Sequence, residues 1–193
     1  MASLPPDLSG LLARLARALD DRQLPFMLIG GQAVLVHGVP RLTEDIDVTL
    51  EVDPRELPRV LELCGALGLT SLVTDVEAFV RETFVLPVRD EGTAMRVDFV
   101  FSTTPYERQA IARAVRVRLG DATIPFATAE DLIVHKLFAG RPRDWEDAVG
   151  VARRGGARID WAYIARWAAE FAAVPGREDL PDRVQALRRD ADS

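Results

Sequence analysis

Two aspartates separated by a single residue, Asp45 and Asp47, offer the clearest chemistry in this chain. Ile46, Val48 and Leu50 alternate with Asp45, Asp47, Thr49 and Glu51. Strict alternation predicts a strand over 45–52, with one buried face and one face carrying both carboxylates. Two carboxylates about 4 Å apart repel by about 4 kcal/mol at an effective dielectric near 20. A divalent cation offsets that repulsion, and Mg²⁺ takes hard oxygen ligands from one or two carboxylates together with substrate phosphates. Upstream, the apolar run Phe26-Met27-Leu28-Ile29 ends in Gly30-Gly31, and residues 32–44 separate this pair from the acids. Paired glycines after a strand permit a tight turn and let backbone N–H groups approach a triphosphate without a Cβ in the way. Arg41 and Thr43 stand just before the acids. Each feature alone has a plainer explanation: the acids could line the solvated face of an edge strand, and the glycines could make an ordinary turn. It is their order and spacing together that point to a metal and phosphate site.

That arrangement, Ile29-Gly30-Gly31 followed at a distance by Asp45-Ile46-Asp47-Val48, resembles the signature of the DNA polymerase β-type nucleotidyltransferase superfamily. The resemblance implies an α/β (α+β) fold, a nucleotidyltransferase-type mixed β-sheet core flanked by helices. It implies a third acid within an apolar run on a neighbouring strand, which Val97-Asp98-Phe99-Val100-Phe101 satisfies. Asp45, Asp47 and Asp98 would then hold Mg²⁺ (or Mn²⁺), and Asp98 would accept the proton of the attacking hydroxyl. Gly30, Gly31 and Thr43 would face the nucleotide, with Arg41 in support.

A second stretch, His135-Lys136-Leu137-Phe138-Ala139-Gly140-Arg141-Pro142-Arg143-Asp144-Trp145-Glu146-Asp147, is similar to the second half of the AbiEii-like toxin/nucleotidyltransferase branch. By that resemblance Lys136 would contact the nucleotide phosphates as a catalytic residue, Arg143 would support phosphate or acceptor, and Asp144 and Asp147 would order the site. For Arg143, Asp144 and Asp147 a helix start with local ion pairs is the competing explanation. Lys136 stands apart because it is the only lysine among 24 basic residues, and a compact ammonium suits a phosphate.

The elements needed to position these residues are legible in outline. Leucines at helical spacing predict an amphipathic helix over 7–22, and a brief helix should follow Gly31 over 32–37. Asp53-Pro54-Arg55-Glu56 predicts a helix over 54–67, with Pro58 a blemish in its first turns and Gly68 its end. Strands are expected at 84–88 and 95–101, joined by a hairpin-like Arg89-Asp90-Glu91-Gly92, and again at 115–119 and 123–126. From Thr128 on only helices are expected, over 129–139, 144–154, 161–173 and 178–189. The division is therefore a nucleotidyltransferase core at 1–127 and a helical C-terminal segment at 128–193 that completes the active-site cleft.

With 48% apolar and 28% charged residues, the 193-residue chain has the composition of a globular domain with a real core. No apolar stretch approaches the roughly 20 residues that span a bilayer, and Met1 to Gly10 lacks a signal-peptide pattern, so no membrane partner and a cytoplasmic location are expected. One cysteine, Cys64, precludes an intramolecular disulfide, and two histidines, His37 and His135, argue against a histidine zinc site. A net charge of −6 confines any nucleic-acid contact to one face. The expected reaction moves a nucleoside monophosphate from an NTP to an acceptor hydroxyl. Candidate acceptors are tRNA, a protein or a small molecule such as an antibiotic, and a cognate antitoxin or toxin is a candidate partner. A catalytically silent binding or antitoxin module is the alternative of another class.

Overall fold

A computed structural model describes residues 6–193, with side chains from residue 8 onward. The start of the segment judged for a signal peptide therefore lies outside the described residues. Close Cα neighbours divide the chain into two compact units. One comprises residues 6–32 with Leu42–Phe126, and the other Ala33–Arg41 with Ala127–Ser193.

The first unit is built on a seven-stranded mixed sheet. Its strands are β1 (Phe26–Ile29), β2 (Asp45–Leu50), β3 (Leu69–Ser71), β4 (Val85–Asp90), β5 (Arg96–Phe101), β6 (Val115–Leu119) and β7 (Ala122–Phe126). They lie in the order β3-β4-β5-β2-β1-β7-β6. β2 is parallel to β5 and antiparallel to β1, so the strand bearing the paired acids lies in the interior of the sheet. That position corrects the expected alternation: Asp45 to Val48 alternates, but Val48, Thr49 and Leu50 are all buried because both faces of the sheet are covered there. Helix α1 (Pro6–Asp21) packs on β7 and on α3 (Leu57–Leu67) through buried Leu8, Leu11, Leu12, Leu15 and Leu19, each side chain contributing about 1.5–3 kcal/mol of burial.

Three local expectations change. Helix α2 (Gly30–Val36) begins at Gly30 itself, so the glycine pair forms a strand-to-helix corner instead of a separate turn. The helix expected over 54–67 is two pieces, a 3-10 turn at Pro54–Glu56 capped by Asp53 and then α3, in which Pro58 falls in the first turn, where its missing N–H costs nothing. Elements β3, α4 (Val76–Thr83) and α5 (Pro105–Arg113) were not foreseen. They are short and bury little: Val80 alone in α4, Tyr106 and Ala110 in α5. The Thr104 cap followed by Pro105 and Glu107 was nonetheless a readable start for α5.

The second unit holds α6 (Ala129–Ala139), α7 (Pro142–Gly155), α8 (Trp161–Phe171) and α9 (Leu180–Asp192). Thr128 and Asp160 cap α6 and α8 as expected. The segment 33–41 joins this unit through specific contacts. The His37 ring nitrogen Nε2 lies 2.8 Å from the Ala127 carbonyl, and Val39 packs where a Cβ on Gly150 would come within 3.1 Å of it.

Candidate active site

The parallel register of β2 and β5 sets Asp47 beside Asp98 and Asp45 beside Arg96. Because paired residues on adjacent strands share a face, the three acids converge, and one oxygen from each lies within 4.8 Å of the others. All three are half-buried. Only hard oxygen donors are offered by the three carboxylates, a donor set that fits a divalent cation such as Mg²⁺.

On the other side of β2, β1 pairs Ile29 with Asp47, and the next residue is Gly30. Gly30 has φ of +62°, and a Cβ there would stand 1.8 Å from Asp47 Oδ2. Glycine is thus required twice, for the left-handed backbone and for the space the carboxylate fills. Gly31 follows, buried within α2.

Two further residues of this site were not picked out from the sequence. Gln32, 1% exposed, donates from Nε2 to Thr43 Oγ1 at 2.7 Å and to the Asp45 carbonyl at 3.4 Å. It ties the start of α2 to the approach of β2. Arg96 donates from Nε to Asp98 Oδ1 at 2.8 Å. That hydrogen bond, with the field of Asp98, Asp45 and Asp47, raises the guanidinium above its ordinary pKa against the opposing effect of burial. Alternation along β5 was the signal that could have found it, since residues 96 and 98 share a face.

In the helical unit, α6 and α7 bring Lys136, Asp144 and Asp147 together. Lys136 Nζ lies 2.8 Å from Asp144 Oδ1 and 2.8 Å from Asp147 Oδ2. Asp144 also accepts the backbone N–H of Arg141 at 3.2 Å, closing the N-terminus of α7. Arg41 pairs with Asp147. Lys136 is only 8% exposed, so the lone lysine is a buried member of a cluster in which Lys136 and Arg41 face Asp144 and Asp147. Arg143 lies on the exposed side of α7, away from buried Asp144 and Asp147. Cys64 is buried, and burial pushes its thiol up to about 12, which leaves it inert as a nucleophile.

The chain matches the family described as nucleotidyl transferase AbiEii toxin, type IV toxin–antitoxin system, over residues 10–192. It belongs to the AbiEii family. The AbiEii-family chain is therefore a nucleotidyltransferase, and an NTP substrate and a toxin–antitoxin setting are consistent with that family. Its fold is shared with solved nucleotidyltransferase structures. The antibiotic-resistance factor ANT(2'')-Ia superposes with a TM-score of 0.60 at 17% identity, covering 91% of this chain and 98% of that one. An antigenic nucleotidyltransferase-like protein from Paracoccidioides brasiliensis gives 0.55 at 19% identity, covering 96% and 95%. The lincosamide antibiotic adenylyltransferase LnuA, lincomycin-bound, gives 0.52 at 14% identity, covering 74% and 94%. No protein of curated function matches the chain in sequence. Among the described residues no helix is long and apolar enough to cross a membrane.

Proposed function

We propose that the chain transfers a nucleoside monophosphate from an NTP to an acceptor hydroxyl at Asp45, Asp47 and Asp98, breaking the α–β phosphoanhydride bond and releasing pyrophosphate, with Mg²⁺ or Mn²⁺ as cofactor. The observation that carries this reading is the convergence of the three carboxylates on one face of the β2–β5 pair. Bound there, the cation would supply charge neutralisation at the transferring phosphate. Asp45 and Asp47 would hold it together with Asp98. Asp98 would also take the acceptor hydroxyl's proton on Oδ2, the oxygen not bonded to Arg96. Gly30 leaves open the space that the Asp47 carboxylate fills, and Thr43, held by Gln32, would offer its hydroxyl to the nucleotide.

For the acceptor we favour RNA, a tRNA 3′ end in particular, supported by exposed Arg113 on α5 and by Arg116 and Arg118, which share a face of the edge strand β6. A small-molecule acceptor is the second reading, favoured by the net charge of −6 and by the fold shared with ANT(2'')-Ia, whose structure with adenylyl-2''-tobramycin superposes at a TM-score of 0.55 and 16% identity. The experiment is to incubate the protein with Mg²⁺ and each α-labelled NTP in turn, with total RNA, with protein extract, and with aminoglycosides or lincosamides. Label in a tRNA-sized band, lost in Asp45→Asn/Asp47→Asn, is the expected result. Label only in drug or protein would replace the RNA reading, and no transfer to any acceptor would overturn the site.

A further inference from the structure

We infer that Arg96 is an internal counterion of the carboxylate site, occupying Asp98 when no divalent cation is bound and lowering the site's affinity for metal in the absence of nucleotide. The inference rests on the carboxylate site proposed above and deepens it. Arg96 sits opposite Asp45 in the β2–β5 register and two residues before Asp98 on the same face of β5. Its Nε donates to Asp98 Oδ1 at 2.8 Å. One guanidinium thus holds one of the three carboxylates and sits in register with a second.

The geometry also makes Arg96 removable. Its side chain is 49% exposed against 14% for Asp98, so the guanidinium can leave for water while the buried neighbours Val97 and Phe99 keep the strand fixed. A cation claiming Asp98 Oδ1 must displace Arg96 or share the oxygen with it. Either way, the positive charge opposes a dication a few ångströms away, while it relieves repulsion among the acids when metal is absent. A residue that merely orients Asp98 would act in the other direction, since its loss would loosen a ligand and weaken binding.

The test is calorimetric titration of Mn²⁺ and of Mg²⁺ into the full chain without nucleotide, with thermal melts in EDTA alongside. Arg96→Gln should bind metal about tenfold tighter than wild type, the effect of removing a unit charge near a dication at water-like screening. In EDTA the same variant should melt below wild type, and saturating metal should close the gap. Arg96→Lys keeps the charge and should stay near wild type in both measurements. Equal or weaker metal binding by Arg96→Gln overturns the inference, as does equal tightening by Arg96→Lys. If wild type takes up no more metal than Asp45→Asn/Asp47→Asn, the carboxylate site itself is wrong and the inference falls with it.

Discussion

Gly30 is the residue whose role is least replaceable, because its backbone and its empty side-chain position serve one carboxylate. The site leaves no room for a methyl group, since a Cβ would overlap Asp47 Oδ2 at 1.8 Å and the residue holds φ at +62°. Gly30→Ala must therefore move Asp47 off its partners or distort the end of β1. We expect transferase activity to fall by at least about 100-fold, consistent with the sensitivity of such sites to displacements near 1 Å. The metal-dependent rise in melting temperature should disappear with it. Gly68→Ala, equally left-handed but with open space around it, is the control: it should cost stability alone and leave the metal-dependent rise intact.

At the scale of elements, α6 and α7 are joined by charges that water scarcely reaches. Replacing Lys136 with methionine would leave Asp144 and Asp147 buried, with Arg41 paired to Asp147 and exposed Arg141 4.0 Å from Asp144, and breaking a buried pair in this way costs about 3–5 kcal/mol. Lys136→Met should therefore lower the denaturation midpoint strongly. Adding Asp144→Asn to Lys136→Met should recover part of the loss, because it removes one stranded charge. A midpoint unchanged in Lys136→Met would show that the cluster contributes little in solution.

The tie between α1 and the β4–β5 hairpin is pH-sensitive in a defined direction. Burial alone would raise the pKa of Asp90, yet hydrogen bonds from the Thr93 hydroxyl and N–H and from Arg14 hold it below the ordinary carboxylate value. A depressed folded-state pKa stabilises the fold above the unfolded value, near 3.9, and that contribution is lost as pH falls through the lower folded value. Asp90→Asn should destabilise by about 1–3 kcal/mol at pH 7, where the charge-assisted bonds are lost. Melting curves of wild type and variant should converge as pH is lowered below about 4; a constant gap down to pH 3 would contradict this account.

For the whole molecule, the question is how a chain with net charge −6 engages a polyanion. Any such contact must be local, carried by arginines such as Arg113, Arg116 and Arg118. If three phosphates are neutralised, the log–log dependence of RNA affinity on salt should have a slope of about −2, at about −0.7 per contact for single strands. Arg116→Ala/Arg118→Ala should reduce that slope by about 1.4. A slope near zero in wild type, measured by titration from 50 to 200 mM salt, would favour the small-molecule acceptor.

The sequence by itself determined the residues with chemical potential and the period of the elements that carry them. Asp45 and Asp47 had to share a face because a strand alternates, and the caps Thr128 and Asp160 announced their helices because side-chain oxygens satisfy the first backbone donors. Asp98 was reachable through resemblance, as an acid within an apolar run. What no local pattern could supply was pairing between segments distant along the chain. The β2–β5 register sets Asp98 beside Asp47 and brings Arg96 to Asp98. The assembly of the helical unit buries Lys136 between two aspartates and recruits Arg41, which lies 106 residues away from Asp147. Local propensity acts within a few residues, whereas these partners are chosen by sheet register and helix packing, so only the tertiary structure decided which charges meet.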